Sequence, residues 1–127
     1  MDIDSERRPA ASPERTQQLE QMYQAFNARD ADRVLREMTP DVDWPNGWEG
    51  GRVTGQTAVR DYWRRQWEAL DPTVTPGEFT ALPDGSIRVR VHQVVRDRAG
   101  TLLADTHVNH VYRFRGNLIH SMEIEET

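Results

Sequence analysis

The sequence predicts an α+β fold in which N-terminal helices pack on one face of an antiparallel sheet. Apolar residues recur at helical spacing in the first part of the chain, whereas the part from residue 78 onward alternates apolar and polar side chains as strands do. Two turn signals, at 97–100 and 115–117, divide this second part into neighbouring strands. Helices that precede a meander of strands are typical of this fold class.

Length and composition exclude several classes of function. A chain of 127 residues fits a single domain. It has no cysteine, which excludes disulfides, thiolate metal sites and cysteine nucleophiles. With 16 basic against 21 acidic residues the net charge is −5, which argues against nucleic-acid binding. No apolar run approaches the roughly 20 residues that span a bilayer, so we expect a soluble cytoplasmic protein that does not bind membranes.

The N-terminal part predicts a tail and then a long helix. Residues 1–11 are polar, charged and aperiodic, which indicates a disordered tail ahead of a single domain over 12–127. Ser12 is a typical N-cap, and Pro13 suits the first position of a helix. One apolar stripe continues at helical spacing, formed by Leu19, Met22, Tyr23 and Phe26.

Two further helices are predicted before the main run of strands. Asp30 can cap a second, short helix whose apolar residues are Val34, Leu35 and Met38. A short strand at 41–44 and a glycine-containing loop at 48–55 come next. The spacing of apolar residues then predicts a third helix over 57–70.

The strands are predicted at 78–82, 86–96, 102–114 and 118–125. Pairing outward from the two turns places His110 opposite Ile87 and Met122, and Tyr112 opposite His120. The two hairpins, paired independently, agree on one mostly apolar face that the helices must cover. That face comprises Ile87, Val89, Val91, Gln93, Ala104, Thr106, Val108, His110, Tyr112, Phe114, Leu118, His120, Met122 and Ile124.

The opposite face of the sheet is polar. The same register pairs His92 with Asp105 and His107 with Glu125 across neighbouring strands. Glu123 also points to this side. We expect the face to be solvated or to form a polar contact between subunits.

The order of elements and three local strings resemble the nuclear transport factor 2-like superfamily and, within it, the SnoaL-like domains. The strings are TPDVDW at 39–44, GQTAVRDYW at 55–63 and HVYRFRGNLI at 110–119. The resemblance implies a cystatin-like α+β roll, in which a curved, cone-shaped sheet and three helices enclose a pocket, commonly in a dimer. Members include polyketide cyclases, ketosteroid isomerases, limonene epoxide hydrolases and scaffold proteins, so the fold alone does not select a chemistry.

The resemblance can be tested at the positions that carry ketosteroid isomerisation. The general-base aspartate of those enzymes corresponds to Asn46, the oxyanion-binding tyrosine to Met22 and the oxyanion-binding aspartate to His110. A carboxamide cannot abstract a proton, and a thioether cannot donate one. Ketosteroid isomerisation is therefore not expected.

The catalytic residues of two other enzyme types in the superfamily are also missing from the predicted apolar face. The epoxide hydrolases use an Asp-Arg-Asp constellation, and the face contains no such group. SnoaL-like cyclases use an inward acid near the end of the sheet, whereas the predicted register turns Glu123 and Glu125 outward. A β-bulge would be needed to bring either acid inside, which leaves the cyclase interpretation open.

His110 is the candidate catalytic residue, because it is an imidazole in apolar surroundings. Burial should lower its pKa, and it could then serve as a general acid or base. The alternative is a structural histidine that bonds to a neighbour such as Tyr112 or to a buried water. His107 and His110 point to opposite sides of their strand, so no metal site is expected.

The predicted pocket wall is aromatic with a few polar groups. Trp44 could stack on a planar ligand, Trp48 could cover the pocket, and a buried Gln93 would need a partner. Core or surface packing is the alternative for each tryptophan. The candidate substrate-binding residues are Met22, Phe26, Trp44, Asn46, Trp48, Trp63, Gln93, Tyr112, His120 and Met122.

These residues support two functional hypotheses. In the first, the chain binds a small apolar or planar metabolite, with cofactor-free acid/base chemistry of the isomerase or cyclase type centred on His110. In the second, it is a non-catalytic binding or dimeric scaffold module. An open cavity of several hundred cubic ångströms favours the first, and a filled interior favours the second. The resemblance also implies a homodimer, with no cofactor.

Overall fold

Helices precede the main run of strands in the computed structural model, which describes residues 11–126. The helices are α1 (Pro13–Asn27), α2 (Ala31–Leu35) and α3 (Gln56–Ala69). The strands are β1 (Met38–Pro45), β2 (Arg52–Thr54), β3 (Leu70–Ala81), β4 (Ile87–Asp97), β5 (Leu102–Arg115) and β6 (Leu118–Glu126). They form one curved six-stranded sheet in the order β2-β1-β6-β5-β4-β3, which confirms the predicted α+β fold.

Both predicted helix caps are present. The Ser12 side chain accepts a hydrogen bond from the backbone N–H of Arg15, and Pro13 occupies the first turn of α1. The Asp30 side chain accepts from the backbone N–H of Arg33 at the start of α2. Each cap satisfies a backbone donor that the helix itself leaves free.

The sheet is antiparallel except at one pair. Strand β1 lies parallel to β6, whereas the sequence predicted an entirely antiparallel meander. A parallel pair needs a long crossover connection, and here the chain between β1 and β6 supplies α3 and three further long strands. The pairing places β1, the first strand, beside β6, the last strand.

Three element boundaries differ from the prediction. Met38 begins β1 and does not belong to α2, and the predicted loop at 48–55 contains the short strand β2. Strand β3 begins at Leu70, although the sequence predicted a strand only from residue 78. Pro72 and Pro76 concealed it, because proline interrupts most strands; β3 tolerates them as the outermost strand of the sheet.

The predicted pairing of β4 with β5 is displaced by two residues. His110 lies opposite Val89 and not opposite Ile87. The turn is one residue longer than predicted, since Arg96 pairs with Leu102, and Leu103 is an additional unpaired residue at a bulge. The longer turn and the bulge at Leu103 each shift the register by one residue. Because side chains alternate with a period of two, the combined shift of two residues leaves the inward residues on the inward face.

The pairing of β5 with β6 contains a second bulge, which corrects the prediction for His120. Tyr112 lies opposite Met122, whereas His120 falls between the pairs Arg113–Ser121 and Phe114–Ile119. A single extra residue exchanges the inward and outward positions on the two sides of the bulge. Ile119 is consequently fully buried in the core, and His120 is not on the cavity side of the sheet.

The outer face also differs in its pairs. His107 lies opposite His92, and Glu125 lies opposite Asn109, so the predicted pair of His107 with Glu125 is wrong. The rings of His92 and His107 stack with their centroids 4.6 Å apart. His92 Nε2 lies 2.6 Å from Asp105, so those two residues do interact as predicted.

The core lies between the inner face of the sheet and helices α1 and α3. Its fully buried members include Leu19 from α1, Val59 and Trp63 from α3, and Val89 and Val91 from β4. Burial of each such side chain contributes about 1.5–3 kcal/mol. The predicted tail lies outside the described residues apart from Ala11, which packs half-buried against the core. None of the described helices is long and apolar enough to cross a membrane.

The end of α1 is fastened to the outermost strand by one side chain. Asn27 Nδ2 donates to the carbonyl of Val74 at 2.8 Å, and Asn27 Oδ1 accepts from the Val74 N–H at 3.0 Å. Val74 lies on β3, the outermost strand of the sheet formed by residues 11–126. The amide thus satisfies two backbone groups that an open sheet edge would leave unpaired.

Replacing Asn27 with alanine should destabilise the fold by about 1–3 kcal/mol, because it removes both hydrogen bonds at a half-buried site. Urea unfolding monitored by circular dichroism measures the change. Gln24→Ala, at an exposed position of the same helix, is the matched control and should change stability by less than about 0.5 kcal/mol. An equal decrease in the free energy of unfolding in the two variants would contradict a stabilising role of the Asn27–Val74 hydrogen bonds.

Candidate functional site

A cavity of about 820 Å³ lies between the inner face of the sheet and helices α1 and α3. This volume is in the range of small-molecule binding sites. The structure brings together along it all but one of the residues named from the sequence. These are Met22, Phe26, Trp44, Asn46, Trp48, Trp63, Gln93, His110, Tyr112 and Met122.

His120 is the exception. Its Nδ1 lies 3.2 Å from the Thr39 hydroxyl and its Nε2 lies 3.1 Å from the Arg115 guanidinium. The carboxylate of Asp41 is 3.8 Å from the ring. The bulge in β6 causes this placement, and His120 therefore does not contribute to the cavity.

The cavity wall is a set of aromatic rings in mutual contact. Trp44 meets Trp63 edge to face with 5.6 Å between centroids, and Phe26 meets Trp63 in the same way at 5.7 Å. Trp63 is 1% exposed and Trp44 is 7% exposed. These two tryptophans belong to the core as well as to the wall, so contacts on several sides hold their rings in place.

A hydrogen-bonded group of three polar side chains occupies the closed end of the cavity. The hydroxyl of Tyr23, on α1, lies 2.8 Å from Nδ1 of His110, on β5. The hydroxyl of Tyr112 donates to the hydroxyl of Tyr23 at 2.7 Å. His110 is 6% exposed, and the two tyrosines are buried almost completely. We call these three residues the Tyr–Tyr–His chain.

The hydrogen bonds favour one arrangement of protons in the Tyr–Tyr–His chain. If Tyr112 donates to Tyr23 and Tyr23 donates to His110 Nδ1, both hydroxyl protons are used. The reverse direction leaves the Tyr112 proton without an acceptor among residues 11–126, which is costly for a buried group. His110 then carries its own proton on Nε2, which has no partner in the described part of the chain.

All three groups are uncharged near neutral pH. Burial lowers the pKa of His110 to about 4. Burial also raises the pKa of Tyr23 and of Tyr112 well above its usual value. The closed end of the cavity therefore presents a neutral N–H donor, and His110 is a weak base there.

Tyr23 is the site residue that the sequence analysis missed. It was placed only in the apolar stripe of α1, next to Met22. One signal was available, since a tyrosine on a buried stripe needs a partner for its hydroxyl. The partner lies 87 residues away on β5, and the sequence offers no way to measure that distance.

Asn46 lines the cavity, but its amide is engaged in its own loop. Its Nδ2 donates to Glu49 Oε1 at 2.9 Å, and its Oδ1 accepts from the Glu49 N–H at 2.7 Å. Arg65 also contacts Glu49 at 2.9 Å, and hydrogen bonds from Arg65 and Asn46 lower the pKa of that carboxyl. Asn46 therefore shapes the loop that carries Trp48, whose side chain is 40% exposed at the open end.

The open end of the cavity carries the charged residues. Arg52 bonds to both carboxylate oxygens of Asp43 at 3.0 Å and to the Met122 carbonyl at 2.7 Å, so its charge is already paired. Glu123 and Glu126 also line this end. Glu123 is exposed and alternates with the inward residues Met122 and Ile124, which is consistent with its predicted outward position at the border of the cavity.

Glu125 does face outward, as predicted, and it pairs with Arg88 at 3.0 Å. Within residues 11–126, no group of three or more His, Asp or Glu side chains is arranged so that it could hold a metal ion.

Comparison with known proteins gives a family match over most of the chain. A family model for the SnoaL-like domain matches residues 19–122. No curated protein matches the chain. Several hundred solved structures do, and three of the most similar show the range.

The first is an NTF2-like protein of unknown function from Burkholderia pseudomallei, with 24% identity over 91% of this chain and 92% of that chain, and a TM-score of 0.78. The second is TerC co-crystallized with polyporic acid, with 25% identity over 91% and 92% and a TM-score of 0.76. The third is SalBIII, an epoxide hydrolase/cyclase-like enzyme in pyran ring formation in the polyether salinomycin, with 21% identity over 87% and 88% and a TM-score of 0.73. The three share the fold and differ in their described roles.

The buried His110 should make folding stability depend on pH. Between its ordinary pKa of 6.5 and its native value of about 4, the unfolded chain binds a proton that the native protein does not. Stability that is complete above pH 6.5 should therefore fall by about 3 kcal/mol as the pH drops to 4, and then level off. Urea unfolding at several pH values of wild type and of His110→Gln, which lacks this loss, measures the difference.

His120→Gln is the control, because it removes a histidine outside the cavity and leaves His110 in place. It should retain most of the wild-type slope between pH 6.5 and 4. Identical slopes in wild type and His110→Gln would show that His110 is not held neutral by burial.

Proposed function

Since this chain belongs to the SnoaL-like domain family, we propose that it binds a neutral, largely apolar and planar small molecule in the cavity, and that His110 donates a hydrogen bond from Nε2 to an oxygen of that ligand. The observation that carries the proposal is the Tyr–Tyr–His chain at the closed end of an aromatic-walled cavity. A buried network that uses its own protons and leaves one donor facing a cavity is suited to recognise an acceptor.

The size of the cavity supports a ligand site over a purely structural interior. Its volume of about 820 Å³ is far larger than the gaps left in a well-packed core. A non-catalytic scaffold would gain stability by filling that space with side chains. The large rings of Trp44 and Trp63 border the space without occupying it.

The charge distribution supports a neutral ligand. His110, Tyr23 and Tyr112 are all uncharged near neutral pH, and Arg52 is already paired with Asp43. An ionic group at the closed end would lose its hydration without gaining a partner of opposite charge. A carbonyl or hydroxyl oxygen meets no such penalty and can accept from His110.

The same arrangement can support cofactor-free chemistry of the isomerase or cyclase type. A fixed N–H donor stabilises negative charge that develops on a carbonyl oxygen when a neighbouring carbon loses a proton. A histidine with a pKa of about 4 is poorly suited to accept that proton at neutral pH. Glu123 and Glu126 border the open end of the cavity, away from His110, so we assign to His110 the stabilising hydrogen bond alone.

The homodimer implied by the resemblance is a separate proposal. It would leave the binding site within each chain, since the cavity is formed by elements of a single copy. Light scattering across micromolar concentrations tests it, and a single monomer mass throughout that range would contradict it.

Binding of 2-naphthol and naphthalene tests the role of His110. The wild type should bind 2-naphthol about three- to tenfold more tightly than naphthalene, because the hydroxyl oxygen can accept from Nε2–H. His110→Phe should lose this preference and still bind naphthalene. Tyr23→Phe, which removes the bond that orients the imidazole, should lose part of it. Equilibrium dialysis measures the affinity of each protein for both compounds.

His120→Gln is the control for these measurements and should keep the wild-type preference. A preference that survives in His110→Phe would show that another group recognises the hydroxyl. Absence of binding of both compounds to the wild type would favour the scaffold hypothesis.

A further inference from the structure

One polar side chain of the cavity wall has no role in the proposed function. Gln93, on β4, lines the cavity and is half-buried. Its side-chain amide makes no hydrogen bond with any residue of the described range 11–126. A half-buried amide on the otherwise aliphatic inward face of a strand is costly unless water or a ligand satisfies it.

Several other polar side chains of the wall already have partners within the chain. Both polar atoms of the Asn46 amide bond to Glu49, and Arg52 is paired with Asp43. The amide nitrogen of Gln66, on the helical side of the cavity, donates to the Tyr62 hydroxyl at 3.4 Å. Gln93 differs from these three residues, because within residues 11–126 neither polar atom of its side-chain amide has a partner.

The sheet register places these two groups at a defined spacing. His110 lies opposite Val89, and Gln93 lies four residues further along β4. At about 3.3 Å per residue, the two positions are separated by roughly 13 Å along the strand. Both residues line the same cavity.

On β4 and β5 the positions between the two groups are apolar. Val108 lines the cavity opposite the fully buried Val91, and the rings of Trp44 and Trp63 form another part of the wall. On β6, Glu126 borders the cavity opposite Val108. Along β4 and β5 the cavity therefore presents His110 first, then an apolar stretch, and then Gln93. A ligand complementary to it has the same order of groups.

We propose that Gln93 forms a second polar subsite, and that the ligand is an elongated, flat, apolar molecule with a hydroxyl or carbonyl group at each end, one bound by His110 and the other by Gln93. The inference rests on the proposed function, because it requires a ligand in the cavity. It adds the length of the ligand and the chemistry of its second end. Gln93 can bond either group, since an amide both donates and accepts.

A pair of rod-shaped probes tests the second subsite. 4,4′-Dihydroxystilbene carries a hydroxyl at each end, and 4-hydroxystilbene carries one. The wild type should bind the dihydroxy compound about three- to tenfold more tightly. Gln93→Met, which keeps the length of the side chain and removes its amide, should bind both compounds equally. Isothermal titration calorimetry measures the four affinities.

Gln24→Met is the matched control, because it makes the same change at an exposed position of α1 outside the cavity and should keep the wild-type preference. Equal affinity of the wild type for the two stilbenes, or a preference that persists in Gln93→Met, would overturn the second subsite. The preference for 2-naphthol over naphthalene would still stand in that case, so the proposed function would survive. Failure of both stilbenes and both naphthalenes to bind the wild type would overturn the two proposals together.

Discussion

The site depends on the hydrogen bond between Tyr23 and His110. It joins α1 to β5 over 87 residues of sequence and is buried where water cannot replace it. Tyr112 completes the group from the same strand as His110, two residues away and therefore on the same face. Breaking the group would leave a polar atom unpaired in the interior, so its three members hold one another in position. The same bonds decide which nitrogen of His110 carries its proton.

Two features keep a cavity beside this group. The aromatic rings on β1, α1 and α3 brace one another through edge-to-face contacts, so they form a wall and do not fall inward. The Asn27 amide fastens the end of α1 to the open edge of β3 at Val74. Hydrogen bonds thus join α1 to the sheet at two places, at Val74 and where Tyr23 meets His110. The cavity thus has an uncharged, buried end at His110 and an end bordered by charged residues.

The inward face of the sheet could be predicted even though its register could not. Alternation placed His110, Tyr112 and Gln93 on one face of the sheet. The relative faces of residues within one strand follow from its own alternation and do not require the pairing with its neighbours to be correct. Each of two register errors came from two single-residue shifts, which together leave the sidedness unchanged. His120 was misplaced because it lies within one of these bulges, where the alternation is interrupted. A bulge has no reliable signal in a single sequence, since it depends on how neighbouring strands coil.

Local sequence was sufficient to predict the α+β order of elements, the helix caps at Ser12 and Asp30, and the inward residues outside the bulge at His120. These depend on spacing along the chain and on the chemistry of one residue at a time. Only the folded chain shows that Tyr23 meets His110, that the Asn46 amide is engaged by Glu49, and that the Gln93 amide remains unused. Which polar groups are satisfied depends on distances between separate elements, and a few ångströms in the seating of a helix on a sheet make or remove a hydrogen bond.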